Sequence, residues 1–197
     1  HTSVLSETFK NSASFAGYKQ LTDFNRDDRE GIGFYHVTQA NGQRCSTAKG
    51  YLTQAKHRNN LTVLTKVAAE KVLLKEGRAI GVQVREKGAV SRYFAKSEVI
   101  LCGGAINSPQ LLMLSGIGPR NELEDKGIFV HQDLPGVGQN LQDHLDAIVQ
   151  YTCKAREGYA VALGALPSYV KATADYAFKR NGIFSSNIAE AGGFVSS

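Results

Sequence analysis

The sequence predicts a mixed α/β protein, and three observations carry that expectation. Short β-rich segments separated by turn signals run from residue 61 to residue 95. A continuous apolar run at 98–102 breaks into glycines and leads into a capped helix. An amphipathic stripe at 167–180 marks a further helix. At 197 residues the chain is long enough for one large or two small domains with a real core. With 42% hydrophobic and 21% charged residues it has the composition of an ordinary globular protein.

The elements follow in order. The first 45 residues read as irregular, with a polar loop at 23–33, a short strand at 34–38 and a turn at Asn41-Gly42. Ser46 or Thr47 caps a helix whose apolar positions are Ala48, Tyr51, Leu52 and Ala55, and Asn59-Asn60 stops it. A β-rich run at 61–65 precedes strands at 72–74, 79–85 and 91–95, with turns at Glu76-Gly77 and Lys87-Gly88, so the expectation is an antiparallel meander. The run at 98–102 reads as a strand covered on both faces. After Gly103-Gly104-Ala105, Ser108 is suited to N-cap a helix with Pro109 at its first position, where the missing N–H costs nothing. Gly116 and Gly118 end that helix. A short helix at 121–126, a strand at 128–130 and a tight loop at 134–138 follow. The helix at 167–180 carries the stripe Tyr169, Val170, Thr173 and Ala177 and stops at Asn181-Gly182; residues 189–195 read as a strand.

Several function classes drop out. No apolar run reaches the roughly eighteen residues a membrane-spanning helix needs, and residues 1–24 show no signal-peptide pattern. The net charge of +5 is spread along the chain, and its densest spots, Lys56-His57-Arg58 and Lys179-Arg180, fall at expected helix C-termini, where cations suit the helix dipole; nucleic acid is not an expected partner. Cys45, Cys102 and Cys153 are odd in number and widely spaced, which argues for reduced thiols in a cytoplasmic protein and against a disulfide framework or zinc site. The five His are dispersed without an HExxH pattern, so no metal is expected.

Three places could carry chemistry. Cys102-Gly103-Gly104-Ala105 lets a ligand approach closely, and the helix after it offers free N–H groups; the turn serves either a dinucleotide or tight strand-to-helix packing. Gln139, Asn140, Gln142, Asp143 and His144 gather amides, a carboxylate and an imidazole beside a glycine loop, in either an active-site or a turn-capping role. Glu190, set among Ala, Gly and Phe, reads on its own as an edge residue facing water, or else as a buried carboxylate with a shifted pKa or a cationic ligand.

The segment Gly104-Ala105-Ile106-Asn107-Ser108-Pro109-Gln110-Leu111-Leu112-Met113-Leu114-Ser115-Gly116-Ile117-Gly118 resembles the second signature of the glucose-methanol-choline (GMC) oxidoreductases. Leu134-Pro135-Gly136-Val137-Gly138-Gln139-Asn140-Leu141-Gln142-Asp143-His144 resembles a second block of that family, and the runs at 46–52 and 60–65 resemble two more in the right order. The resemblance covers essentially the whole chain. Residues 31–44, with 178–182 and 186–194, look most like bacterial aliphatic alcohol dehydrogenases; choline dehydrogenases share most of these blocks.

The resemblance implies a partial FAD-binding Rossmann-like domain with an antiparallel β-meander, plus part of a substrate domain. It divides the chain into 1–45 (substrate domain), 46–146 (FAD-binding domain) and 147–197 (substrate domain again). It implies FAD contacts at Ala69, through backbone groups towards the adenine, and at Cys102, Gly103, Gly104 and Ala105, and it places Glu190 where choline-oxidising relatives carry an acidic residue near the substrate cation. The GxGxxG turn and the catalytic His of the family are not in this sequence, and His144 does not match that base. The chain is therefore expected to be an internal fragment, inactive and without FAD by itself, with no catalytic residue of its own and a tendency to self-associate along 98–105. For the parent, the resemblance implies oxidation of a primary alcohol to an aldehyde, with hydride passing to flavin N5 and electrons to a quinone or similar acceptor. The expected location is cytoplasmic, or peripheral to the inner membrane. A choline dehydrogenase, a hydroxynitrile lyase of the same fold and a binding-only module are the alternatives.

Overall fold

Two left-handed turns shape the best-formed part of the molecule. Glu76 and Gly77 have φ of 51° and 74°, and Lys87 and Gly88 have φ of 50° and 88°. Positive φ at both central residues gives the hairpin turn whose twist matches its strands. These turns join β5 (Val67–Lys75), β6 (Arg78–Glu86) and β7 (Ala89–Phe94) into an antiparallel sheet of order β5-β6-β7, the expected meander with longer strands. The computed structural model describes residues 2–151 and 163–196, so Cys153 lies outside the described residues. The chain divides into a unit of 1–61 with 149–197 and a unit of 62–148.

In the 62–148 unit, α3 (Gly104–Leu114) packs on β5. Ser115, 4% exposed, fastens the two: its hydroxyl accepts the Val72 N–H at 2.7 Å and donates to the Leu111 carbonyl at 2.5 Å. Val72 and Val84 are the buried aliphatics of the sheet. Beyond α3, β8 (Ile117–Gly118) runs parallel to β9 (Gln132–Asp133), and α4 (Arg120–Asp125) between them buries Leu123 completely.

In the other unit, β2 (Gly31–Phe34) lies between β1 (Gln20–Leu21), parallel to it, and β10 (Ala191–Phe194), antiparallel. The close approach is built on glycine: a Cβ on Gly33 would lie 2.3 Å from the Leu21 carbonyl oxygen. The hairpin β3 (Gln39–Ala40) and β4 (Gln43–Arg44) turns at Asn41-Gly42, both at positive φ. It leads into a π-helical turn, Ala48–Leu52, and α2 (Thr53–Ala55). α5 (Leu166–Lys179) ends with Arg180 in the left-handed region.

The structure departs from the sequence reading in several places. The strand expected at 34–38 lies earlier, at β2, because Gly31–Phe34 is the stretch that β1 and β10 pair with, and 35–38 is outside it. The first 45 residues hold a helix, α1 (Val4–Phe15), capped by the Ser3 hydroxyl accepting the Ser6 N–H. Its Ser, Thr, Asn and Phe are weak helix formers, and contact with β2 and β10 stabilises it. The runs at 61–65 and 98–102 are not strands: a strand exists only through its ladder, and among the described residues neither has a partner. The strand expected at 128–130 is displaced to β9, where the Gly116 carbonyl and then β8 supply the bonding edge. α3 begins at Gly104 rather than after Ser108, so Pro109 lies inside it, and the Ser108 hydroxyl accepts the Gly103 N–H at 2.9 Å instead of capping its own helix. Within the first unit, Lys49 Nζ donates to Gln43 Oε1 at 2.6 Å.

Replacing Ser115 with Ala leaves the Val72 N–H buried without its acceptor. Denaturant unfolding is expected to show a loss of about 1–3 kcal/mol; an unchanged midpoint would show that the α3–β5 contact does not depend on this hydroxyl.

Candidate cofactor-facing site

The ladder of β5 and β6 slips between Ala69 and Lys71, so Glu70 bulges from the edge strand. Bulges re-aim the backbone at sheet edges and beside functional sites. Beside this one opens a cavity of about 460 Å³, lined by Ala69 and Val82 from the sheet, Leu101, Cys102 and Gly103 from the incoming segment, and Leu111 from α3. The fold thus brings together three of the residues predicted to meet a cofactor: Cys102 and Gly103, and Ala69, more than thirty positions before them in sequence.

Gly104 and Ala105 form the first turn of α3 and do not line this cavity. Ala105 lines a second cavity, of about 440 Å³, with Pro109, Met113, Gln139, Asn140 and Gln142. Gly103, at the N-cap, makes no side-chain cap, so the first N–H groups of α3 keep the outward donor character and positive partial charge of a helix start. Gly104 has φ of 81°, a conformation suited to glycine, and a Cβ there would meet nothing within 4 Å, which leaves open space over the turn. A Cβ on Gly103 would sit 3.0 Å from the Asn107 Cβ, so this glycine serves close packing. The packing role thus falls to Gly103, and the open space lies over Gly104.

Asn107, Ser108 and Gln110 supply polar groups to the first cavity. Sequence reasoning had assigned none of them a site role. The cue was their helical spacing from the glycine turn, obscured because the helix was expected to start five residues later.

Glu70 is held by the sheet around it. Arg85 Nε donates to Glu70 Oε1 at 2.6 Å and Gln83 Nε2 to Oε2 at 3.2 Å. The Gln83 hydrogen bond, then the Arg85 hydrogen bond and charge, keep its carboxyl below the ordinary glutamate value.

The remaining candidates are located plainly. Asp143 and His144 are exposed, and the Asp143 carboxylate accepts the His144 backbone N–H at 2.8 Å. Glu190 is 4% exposed, which overturns the reading of a water-facing edge residue. The Ser3 N–H donates to its Oε2 at 2.6 Å and the Ser186 hydroxyl to its Oε1 at 2.5 Å. The signal missed was Ser186, four residues upstream and able to fold back on it. Among the described residues no group of three or more His, Cys, Asp or Glu is placed to hold a metal, and no helix is long and apolar enough to cross a membrane. Cys45 and Cys102 are free thiols.

Comparison with known proteins gives this arrangement a family. The GMC oxidoreductase family model matches residues 1–146. The chain is 43% identical over 195 residues to an alcohol dehydrogenase [acceptor] of Pseudomonas putida, covering 98% of this chain and 35% of that protein. It is 48% identical over 149 residues to an oxygen-dependent choline dehydrogenase of Photobacterium profundum, covering 76% of this chain and 26% of that one. Among solved structures, a formate oxidase of Aspergillus oryzae matches at 28% identity with a TM-score of 0.80, over 97% of this chain and 33% of its own. An FAD-dependent oxidoreductase from Chaetomium thermophilum matches at a TM-score of 0.84 and 24% identity, over 97% of this chain and 34% of its own, a likeness of fold. The chain belongs to the GMC oxidoreductase family. It spans about a third of the length of the first of these relatives.

The Glu70 arrangement predicts a pH dependence. Because the folded carboxyl titrates below its unfolded value, its contribution is fully present above the unfolded value and is lost as pH falls through the lower folded one. Unfolding followed across that acid range should show a steeper loss for the native sequence than for Glu70→Gln; parallel curves would remove Glu70 from the account.

Proposed function

We propose that the complete protein carrying this chain is an FAD-dependent oxidoreductase that converts primary alcohols to aldehydes. The observation that supports this most directly is the single cavity shared by Ala69, Cys102 and Gly103 beside the uncapped start of α3. Its mostly apolar lining suits a flat ring system, and the helix start suits the polar atoms next to such a ring. These residues fit FAD. The backbone around Ala69 would face the adenine, and Cys102 to Ala105 would border the nucleotide. Bound FAD supplies the hydride acceptor, flavin N5. The chain's own contribution is to bind and orient, and no residue within 1–197 is assigned as the base for the hydroxyl proton. In this reading 1–45 and 147–197 belong to the substrate domain and 46–146 to the FAD-binding domain. The electrons pass to a quinone or a similar acceptor, and the protein works in the cytoplasm or at the inner-membrane surface.

Choline oxidation is the second reading, favoured by the choline dehydrogenases among the relatives. Glu190 is the carboxylate that it would place beside the substrate cation.

Two measurements test the proposal. The complete protein should bind FAD and reduce a dye acceptor when given a primary alcohol; a purified complete protein without flavin, or with flavin but no alcohol-dependent reduction, would overturn it. The 197-residue chain alone should carry no stoichiometric flavin absorbance and no alcohol-dependent activity. In light scattering it should self-associate, since Ile100 is 72% and Ile106 71% exposed beside the glycine turn. A clean monomer at high concentration would count against association.

A further inference from the structure

Three stretches of chain meet at Glu190. Its backbone carbonyl accepts the Tyr35 N–H at 2.9 Å, just beyond the end of β2, and β10 starts at the next residue. Its side chain turns to α1: Oε2 takes the N–H of Ser3, the N-cap of that helix, from a residue 187 positions away. Oε1 takes the Ser186 hydroxyl, whose oxygen also accepts the Ile188 N–H at 2.9 Å. Ile188 has φ of 69°, a strained conformation for a β-branched residue. The strained turn and the Ser186 hydroxyl therefore aim the carboxylate at the start of α1, where the helix dipole favours a negative charge.

A carboxylate that is 4% exposed must be met by hydrogen-bond donors, and here the chain supplies them from fixed positions. A trimethylammonium group donates no hydrogen bond, so it cannot replace either of the donors that Glu190 holds. Were Glu190 to turn towards such a cation, the Ser3 N–H would lose its partner.

We propose that Glu190 is a positioning residue that clasps α1 to the β2–β10 pair, and that it does not read a cationic substrate. Glu190 then gives the protein no means of choosing a charged alcohol over a neutral one. This rests on the alcohol-oxidising reading above, so the test has one arm independent of activity.

In the complete protein, Glu190→Gln and Glu190→Ala are compared with the native sequence by hydrogen exchange and by turnover. Exchange of the α1 amides, Val4–Phe15, should quicken in Glu190→Ala and less so in Glu190→Gln, which keeps an acceptor oxygen; unchanged exchange in both overturns the clasp. For turnover the probes are choline and its neutral isostere 3,3-dimethylbutan-1-ol. The ratio of their kcat/KM values should stay within about twofold in Glu190→Gln, whereas a fall of about tenfold or more, the size of a lost charge contact, would assign Glu190 to the cation and overturn the proposal. If neither alcohol is oxidised, the substrate reading fails, and the exchange result alone decides the clasp.

Discussion

The hydroxyl of Ser115 is the contact on which the candidate site depends. It binds one backbone donor of β5 and one carbonyl of α3, and so fixes the distance and rotation between the edge strand and the helix. The cavity lies between those two elements, with Ala69 on one wall and Leu111 on the other. Gly103, at the head of α3, shares that cavity with Ala69. Little apolar burial supports it: the buried aliphatics of this unit are Val72, Val84 and Leu123. A buried hydroxyl used as both donor and acceptor contributes orientation that such a small core does not.

The legible parts of the fold were those set by local chemistry. Glu76-Gly77 and Lys87-Gly88 gave the meander because hairpin turns demand positive φ, a property of the residues themselves. The helix at 166–179 followed from its stripe and its Asn181-Gly182 stop. The failures were non-local. The apolar run at 98–102 has strand composition, yet strand is a statement about a neighbour, and none pairs with it among the described residues. α1 escaped notice because its stability comes from β2 and β10, the latter supplied by residues far along the chain.

The candidate site was legible by likeness more than by chemistry. Nothing in the spacing of Ala69 and Cys102 says that they share a cavity; the family resemblance named both, and the packing of α3 on β5 gives the physical reason they meet. Glu190 shows the reverse. Its chemistry was visible as a carboxylate in apolar company, but Ser3, 187 positions away, is brought to it only by tertiary structure.

The hairpin at Asn41-Gly42 has an evolutionary consequence. A Cβ on Gly42 would fall 2.0 Å from the carbonyl oxygen of Arg180, the left-handed residue that ends α5. The tip of a surface turn is ordinarily free to drift, but this one is pressed against the end of a helix encoded far downstream. Any side chain at position 42 would push the helix end away, so a substitution there is tolerated only where the end of α5 shifts with it, a constraint rooted in the absence of a single carbon atom.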